Sequence, residues 1–276
     1  MAYSSITKPE DYFNTKLWTG NGTDNNGITG VGFQPDMVWL KQRDGTNWHT
    51  VFDVVRGATK RIFTNSNEGQ DTSAASLKSF DSDGFTLGTS LGVNGNNNNY
   101  VAWNWLAGGS GSANTDGTIS STVSVNTTSG CSVVKYTGNA TAGATVGHGL
   151  GAAPKMVIIK NLDSTGASGE HWMVYHESVG NTHGTFLNTT SAEDDDVTYF
   201  NDTSPTSSVF SLGSGDITNK SGQGQMAYCF AEKKGFSKFG TYRGNGNANG
   251  PFVYTGFKPA FVMIKQFNTT GNWALS

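Results

Sequence analysis

The chain has 276 residues, of which 35% are hydrophobic, 12% aromatic and only 14% charged, with a formal net charge of -3. That length and apolar content suffice for real cores and argue against a disordered polypeptide. The weakly acidic balance, with no Lys/Arg block able to neutralise several phosphates, argues against a nucleic-acid partner.

Taken from its start, MAYSSITKPEDYF has neither a basic n-region nor an apolar h-region, and no apolar run approaches the ~20 residues of a membrane span. A soluble product made in a cytosol, without membrane insertion, is expected. The first predicted strand covers Asn14–Thr19, and it leads into the glycine-rich stretch WTGNGTDNNGITGVGFQP. A phosphate-cradling loop would need a helix after it. The next element is instead the strand Met37–Gln42, and the chain holds no GxxxxGK[ST], so these glycines read as turn residues between strands.

The same pattern returns twice. Gly138 leads to Pro154 over 16 residues and Gly244 leads to Pro259 over 15, against 15 from Gly20 to Pro35. After each proline comes one strand type: PDMVWLK, PKMVIIK and PAFVMIK, ending in Lys41, Lys160 and Lys265, with Trp48, Trp172 and Trp273 beyond. Phe85-Thr-Leu-Gly88 and Phe210-Ser-Leu-Gly213 each precede, by 17 residues, an Ala-aromatic-x-aromatic strand at Ala102–Trp105 and Ala227–Phe230. The repeats divide the chain into three units: residues 1–108, residues 118–234 after a Gly/Ser-rich linker at 109–117, and an incomplete third unit at 235–276. The third cannot close its own core, so either the native polypeptide is longer or these strands complete the second domain.

The remaining strands predicted in the first unit are Trp48–Asp53, Lys60–Thr64, Leu77–Phe80, Phe85–Gly88 and Tyr100–Leu106. In the second they are Ser132–Thr137, Met156–Asn161, Trp172–His176, Thr185–Asn188, Val197–Phe200, Val209–Leu212 and Met226–Ala231, with one more expected within 118–125. Short strands bounded by Gly, Asn, Asp and Pro, with almost no helical period, indicate an all-β fold of tandem β-sandwich or jelly-roll-like domains.

Candidate chemistry is sparse. The three strand-end lysines read as stems lying over apolar neighbours with their heads in water. Cys131 and Cys229 read as small buried residues, and a disulfide between them stays open. His148, His171, His176 and His183 lack helical metal-ligand spacing, and His171 and His176, an odd number apart on one strand, face opposite ways. The acidic run Glu193–Asp196 offers Asp194, Asp195 and Asp196 as calcium candidates, with a solvated loop as the plainer reading. No GxSxG elbow and no recurring pair of carboxylates supports catalysis, so no enzyme and no other cofactor is expected. Trp39, Trp103 and Trp105 alternate on strands and read as core or subunit contacts. The loop aromatics Trp48 and Trp172, with His49 and His171 beside them, are the glycan-binding candidates.

The segments DYFNTKLWTGNGTDNNGITGVGFQPDMVWLKQRDG and KYTGNATAGATVGHGLGAAPKMVIIKN resemble a repeated β-domain of bacteriophage virion proteins, marine and cyanobacterial ones especially, usually labelled tail fibre or structural protein. The resemblance implies a virion component assembled in the host cytoplasm, a homo-oligomer with a trimer foremost, contacting other virion proteins and, as a fibre or spike, host-surface glycans. A purely architectural capsid or tail decoration is the alternative. The resemblance carries no catalytic residues.

Overall fold

The runs MVWLK and MVIIK do not alternate polar with apolar, which is the pattern of a strand buried on both faces. The computed structural model, which describes residues 4, 6–164 and 170–276, places both runs at the centre of large sheets. In the first unit the elements are β1 (Phe13–Thr19), β2 (Asn26–Thr29), β3 (Met37–Gln42), β4 (Thr50–Asp53), β5 (Lys60–Phe63), β6 (Asp71–Thr72), β7 (Leu77–Asp81), β8 (Gly84–Leu87), the short helix α1 (Leu91–Asn94) and β9 (Asn99–Trp105). In the second they are β10 (Ser112–Asn114), β11 (Ser121–Asn126), β12 (Cys131–Thr137), β13 (Ala144–Gly147), β14 (Met156–Asn161), β15 (Met173–His176), β16 (His183–Phe186), β17 (Asp194–Asp195), α2 (Val197–Phe200), β18 (Val209–Leu212), α3 (Asp216–Asn219) and β19 (Gly224–Phe230). The third contributes β20 (Met263–Lys265) and β21 (Trp273–Leu275).

The fold is all-β. One large antiparallel sheet runs β1-β9-β3-β4-β5-β6 and the other β10-β11-β12-β19-β14-β15-β16-β17. Registers match as well as orders: Met37 lies opposite both Asp53 and Trp105, and Met156 opposite both His176 and Phe230. A small sheet covers one face of each large one, β2-β8-β7 in the first unit and β13-β18 in the second.

Side chains alternate along β3 and β14 between two cores. Val38 and Leu40 meet Ile28, Phe85 and Leu87 of the first small sheet. Val157 and Ile159 meet Val146, Phe210 and Leu212 of the second. The opposite faces share one core: Met37, Trp39, Val51 and Trp103 pack with Met156, Ile158, Trp172, Val174 and Tyr228, and Phe261, Met263, Trp273 and Leu275 of the third unit lie against them. The P-x-[MF]-V-x-[IL]-K strands of all three units therefore border a single apolar centre.

Four sequence expectations differ from this structure. Val197–Phe200, expected as a strand, is the helical turn α2, because Asp196 accepts a hydrogen bond from the Thr198 amide and Asn201, at φ 54°, ends the turn in the left-handed region. The 109–117 stretch is not simply a linker, since β10 pairs with β11 at an edge of the second sheet. Strands β2 and β13 occupy stretches that the sequence presents as glycine-rich turn. Their Gly and Thr content hides the pattern, which only pairing with β8 and β18 makes regular. Finally, one of the three lysine heads is not in water: Lys160 is fully buried, while Lys41 and Lys265 are half-buried and donate to loop carbonyls.

The glycine-rich opening is a close crossing of chains. A Cβ on Gly20 would lie 2.3 Å from the Gly95 carbonyl oxygen, and one on Gly138 would lie 2.4 Å from that of Lys220. Each crossing is held by a buried asparagine at the end of a short helix. Asn94 donates to the Gly88 and Thr23 carbonyls and accepts from the Asn21 amide. Asn219 donates to the Gly213 and Thr141 carbonyls and accepts from the Asn139 amide. The sequence held a signal for this pair, since each asparagine stands eight residues before the alanine of an Ala-aromatic-x-aromatic strand.

Candidate functional site

The four glycan candidates divide by one residue of register. Leu40 lies opposite Thr50 and Ile159 opposite Met173, so His49, and not Trp48, occupies the place of Trp172. The third unit agrees with the second, as Lys265 lies opposite Trp273. A one-residue offset turns a strand side chain to the other face. Trp48 is accordingly 45% exposed while Trp172 is 1% exposed, at the shared core. Burial removes Trp172 as a stacking platform for a sugar. His171 corresponds to Trp48 and repeats its contact: Trp48 meets the Phe63 ring edge-on at 5.1 Å, and His171 meets Phe186 edge-on at 5.5 Å. Asn188 Nδ2 lies 2.8 Å from His171 Nδ1.

Around Trp48 is an open cleft of about 330 Å³ with Asn47, Arg61, Phe63 and Leu91 on its walls. Arg61 lies over the Phe63 ring at 5.1 Å and pairs with Asp71 at 2.6 Å. His49 stands behind the cleft, its Nδ1 accepting the Trp39 indole N–H at 3.1 Å, which leaves the proton of the neutral ring on Nε2. Burial, with a smaller push from Lys41, lowers its pKa to about 4, so the ring is neutral at pH 7.

The acidic run is divided among local tasks. Asp194 accepts the Tyr199 hydroxyl at 2.5 Å, Asp195 lies 3.9 Å from the His183 ring, and Asp196 caps α2. Among the described residues no group of three or more His, Cys, Asp or Glu converges as a metal site would require. Cys131 lies opposite Phe230 and Cys229 opposite Ser132, so the two thiols point to opposite faces of their sheet and remain free and buried. Burial raises the pKa of both.

Each repeated lysine holds the loop beyond its own strand. Lys41 Nζ donates to the Gln42 and Gly45 carbonyls at 2.6 and 2.9 Å. Lys265 Nζ donates to the Gly271 carbonyl. Lys160 Nζ, fully buried, uses all three donors: the Asn67 and Glu170 carbonyls at 3.0 and 2.7 Å and the Ser164 hydroxyl at 3.2 Å. Burial lowers its pKa to about 7, against a smaller opposing pull from Glu170.

A charged network lies at the junction of the two large sheets. Arg56 Nε donates to Asp53 Oδ2 at 2.6 Å, Tyr228 of the second unit donates to the same oxygen at 2.7 Å, and Arg56 Nη2 donates to the Val51 carbonyl at 3.0 Å. Both charged side chains are fully buried. The sequence offers no recurring signal for this network: in register Asp53 corresponds to His176.

Two hydrogen bonds recur where one unit meets the next. The Trp172 indole donates to the Phe63 carbonyl at 2.9 Å, and the Trp273 indole donates to the Phe186 carbonyl at 2.9 Å. The Gln70 amide donates to the Leu162 carbonyl at 2.8 Å, and the Glu193 amide to the Phe267 carbonyl at 2.6 Å. A cavity of about 630 Å³ opens among the three units, walled by Phe13 and Trp105, by Cys131 and Phe230, and by Phe261 and Trp273. Its walls are largely aromatic and aliphatic, with Glu10, His176, Lys238 and Lys258 also on them.

A family model described as a domain of unknown function, DUF7483, matches residues 8–276. No curated protein and no solved structure matches the chain.

Proposed function

The chain belongs to the DUF7483 family, and we propose that it is a structural component of a bacteriophage particle, in a tail fibre or spike that meets the host surface. The observation that carries this reading is the recurring seam, Trp172 to Phe63 and Trp273 to Phe186. One unit is built to receive the next through the same indole-to-carbonyl bond, which suits a protein whose task is to extend and present β-modules. Its polar machinery is spent on holding loops and crossings, as with Lys160, Asn94 and Asn219. Neutral polar surfaces and the resemblance of the two quoted segments to virion β-domains point the same way.

Host attachment rests on Trp48, the exposed aromatic of the four candidates, with Asn47 and Arg61 beside it in an open cleft. An indole face beside the Arg61 guanidinium is a fitting platform for a sugar ring, while the Asn47 amide is bonded to Gln42 and the Leu91 carbonyl and holds the cleft wall. Burial of Trp172 favours the architectural alternative to the extent that it removes half of the expected aromatic surface. Labelling purified phage particles with an antibody to this chain tests the reading. Signal along tail fibres is expected; signal confined to the head would leave only the decoration role, and its absence from particles would overturn both.

A further inference from the structure

The third unit lies where the other two continue their sheets, yet it lacks what those sheets require. β3 pairs with β4 on one side and β9 on the other, and β14 likewise with β15 and β19, whereas among the described residues β20 pairs with β21 alone. Val262 and Ser276 exchange both of their backbone hydrogen bonds, so by antiparallel alternation the Met263 and Lys265 amides point away from β21, toward the side where β9 and β19 stand in the other units. Val262 and Ile264 are 37% and 38% exposed, although their counterparts Val38 and Leu40, or Val157 and Ile159, are buried beneath small sheets. Phe252, seven residues before Pro259 as Ile28 is before Pro35, is 90% exposed where Ile28 is buried.

The seams are open at the same place. Two are closed, and in each the later unit's indole reaches the earlier unit's β5-type carbonyl. The first unit also touches the third, through Phe261 against Phe13, Trp103 and Trp105 at 5.5 to 6.0 Å, so the units surround one centre and a third seam would join the third unit to the first. His49 stands where Trp172 and Trp273 do, with its Nε2 proton uncommitted among the described residues. Arg43, the counterpart of Leu162 and Phe267, presents its carbonyl from an exposed loop. The aromatic cavity borders the β20 edge as well.

We propose that the open β20 edge, the aromatic cavity and His49 together form a docking site for a polypeptide segment of this same unit type, carrying a β5-like strand and an Ala-aromatic-x-aromatic strand. The latter adds antiparallel to Met263–Lys265 and lays its aromatic side chains into the cavity, as Trp105 and Phe230 lie at its walls. The β5-like strand places a carbonyl on His49 Nε2–H and a following amide on the Arg43 carbonyl. A third small sheet then covers Val262, Ile264 and Phe252. Closure of the three-sided assembly in this way is independent of the virion reading and would hold on any particle or surface.

The test uses the 276-residue chain and a version extended after Ser276 by residues 176–231 of this protein, since Ser276 corresponds in register to Tyr175. In the unextended chain, Met263 and Lys265 amides are expected to exchange with solvent roughly a hundredfold faster than those of Trp39, Lys41 and Ile158. In the extended chain they gain that protection, and chymotrypsin no longer cuts at Phe252 or Tyr254. Protection of Met263 and Lys265 already present in the unextended monomer would overturn the proposal, whether or not the extension folds. So would an extended chain whose added segment is folded while those two amides stay unprotected, or a dimer of unextended chains that covers the edge by itself.

Discussion

Trp172 in the second unit donates its indole N–H to the backbone carbonyl of Phe63 in the first, 2.9 Å away, and nothing else among the described residues occupies that nitrogen. With the Gln70 to Leu162 bond it ties two sheets together by backbone acceptors, which any side chain at Phe63 would supply. The seam therefore depends on one residue type at one position. Trp172→Phe keeps most of the buried ring but removes the indole donor from the Phe63 carbonyl, which retains the Ser66 amide at 3.2 Å, so a loss of about 0.5–1.5 kcal/mol is expected in denaturant unfolding. Trp48→Phe, on the exposed side, should cost no more than about 0.5 kcal/mol.

The Asp53–Arg56–Tyr228 network should behave asymmetrically. Tyr228→Phe removes one of the donors on Asp53 Oδ2 and is expected to cost about 1–3 kcal/mol. Arg56→Met leaves a fully buried carboxylate without its cation and should cost about 3–5 kcal/mol. Urea titrations of the two variants, followed by tryptophan fluorescence, check the order.

Lys160 differs from its two counterparts in being fully enclosed. Replacement by Met takes a charged donor from the Asn67 and Glu170 carbonyls, while the Ser164 hydroxyl keeps the Asn161 carbonyl and the Glu170 amide, and about 2–4 kcal/mol should be lost. Lys41→Met, at a half-buried site with two carbonyls nearer water, should lose about 1 kcal/mol. Equal costs at the two positions would contradict the role assigned to burial.

His49 gives the fold a specific acid sensitivity. Its pKa is about 4 folded against 6.5 as the ordinary value, so between those pH values the unfolded chain binds more protons and stability falls as pH falls. The stabilisation is complete above pH 6.5 and is lost on acidification through pH 4, amounting at most to roughly 3 kcal/mol. His49→Gln keeps an acceptor for the Trp39 indole and removes the titration. Its stability curve should be flatter than that of the parent over this range, measured by thermal melts at fixed ionic strength.

On the proposed attachment role, Trp48→Ala should abolish binding of the assembled protein to intact host cells while leaving the melting temperature within about 2 °C of the parent. Unchanged cell binding would remove the attachment role and leave the architectural one.

Elements set by local chemistry are legible in the sequence. β3 and β14 can be read to the residue because a proline opens each and an unbroken apolar run fills each, and Val209–Leu212 is legible from its own apolar run. The parts that escape such reading are decided by other residues. Val197–Phe200 looks like a strand until Asp196 and Asn201 cap it. Trp48 and Trp172 look equivalent along the chain, and only the pairing of Thr50 with Leu40 and of Met173 with Ile159 separates an exposed indole from a buried one. Lys160 looks like a surface lysine because its acceptors come from residues as remote as Asn67.

The claim that the units are locked by indole-to-carbonyl seams is tested most directly by solvent exchange at the tryptophan side chains, read in a nitrogen-15 spectrum of indole N–H groups assigned by single Trp→Phe variants. The Trp172 and Trp273 indoles should exchange far more slowly than that of Trp48, with Trp172 the slowest of the three. Exchange of Trp172 and Trp273 at the rate of Trp48 would contradict the account.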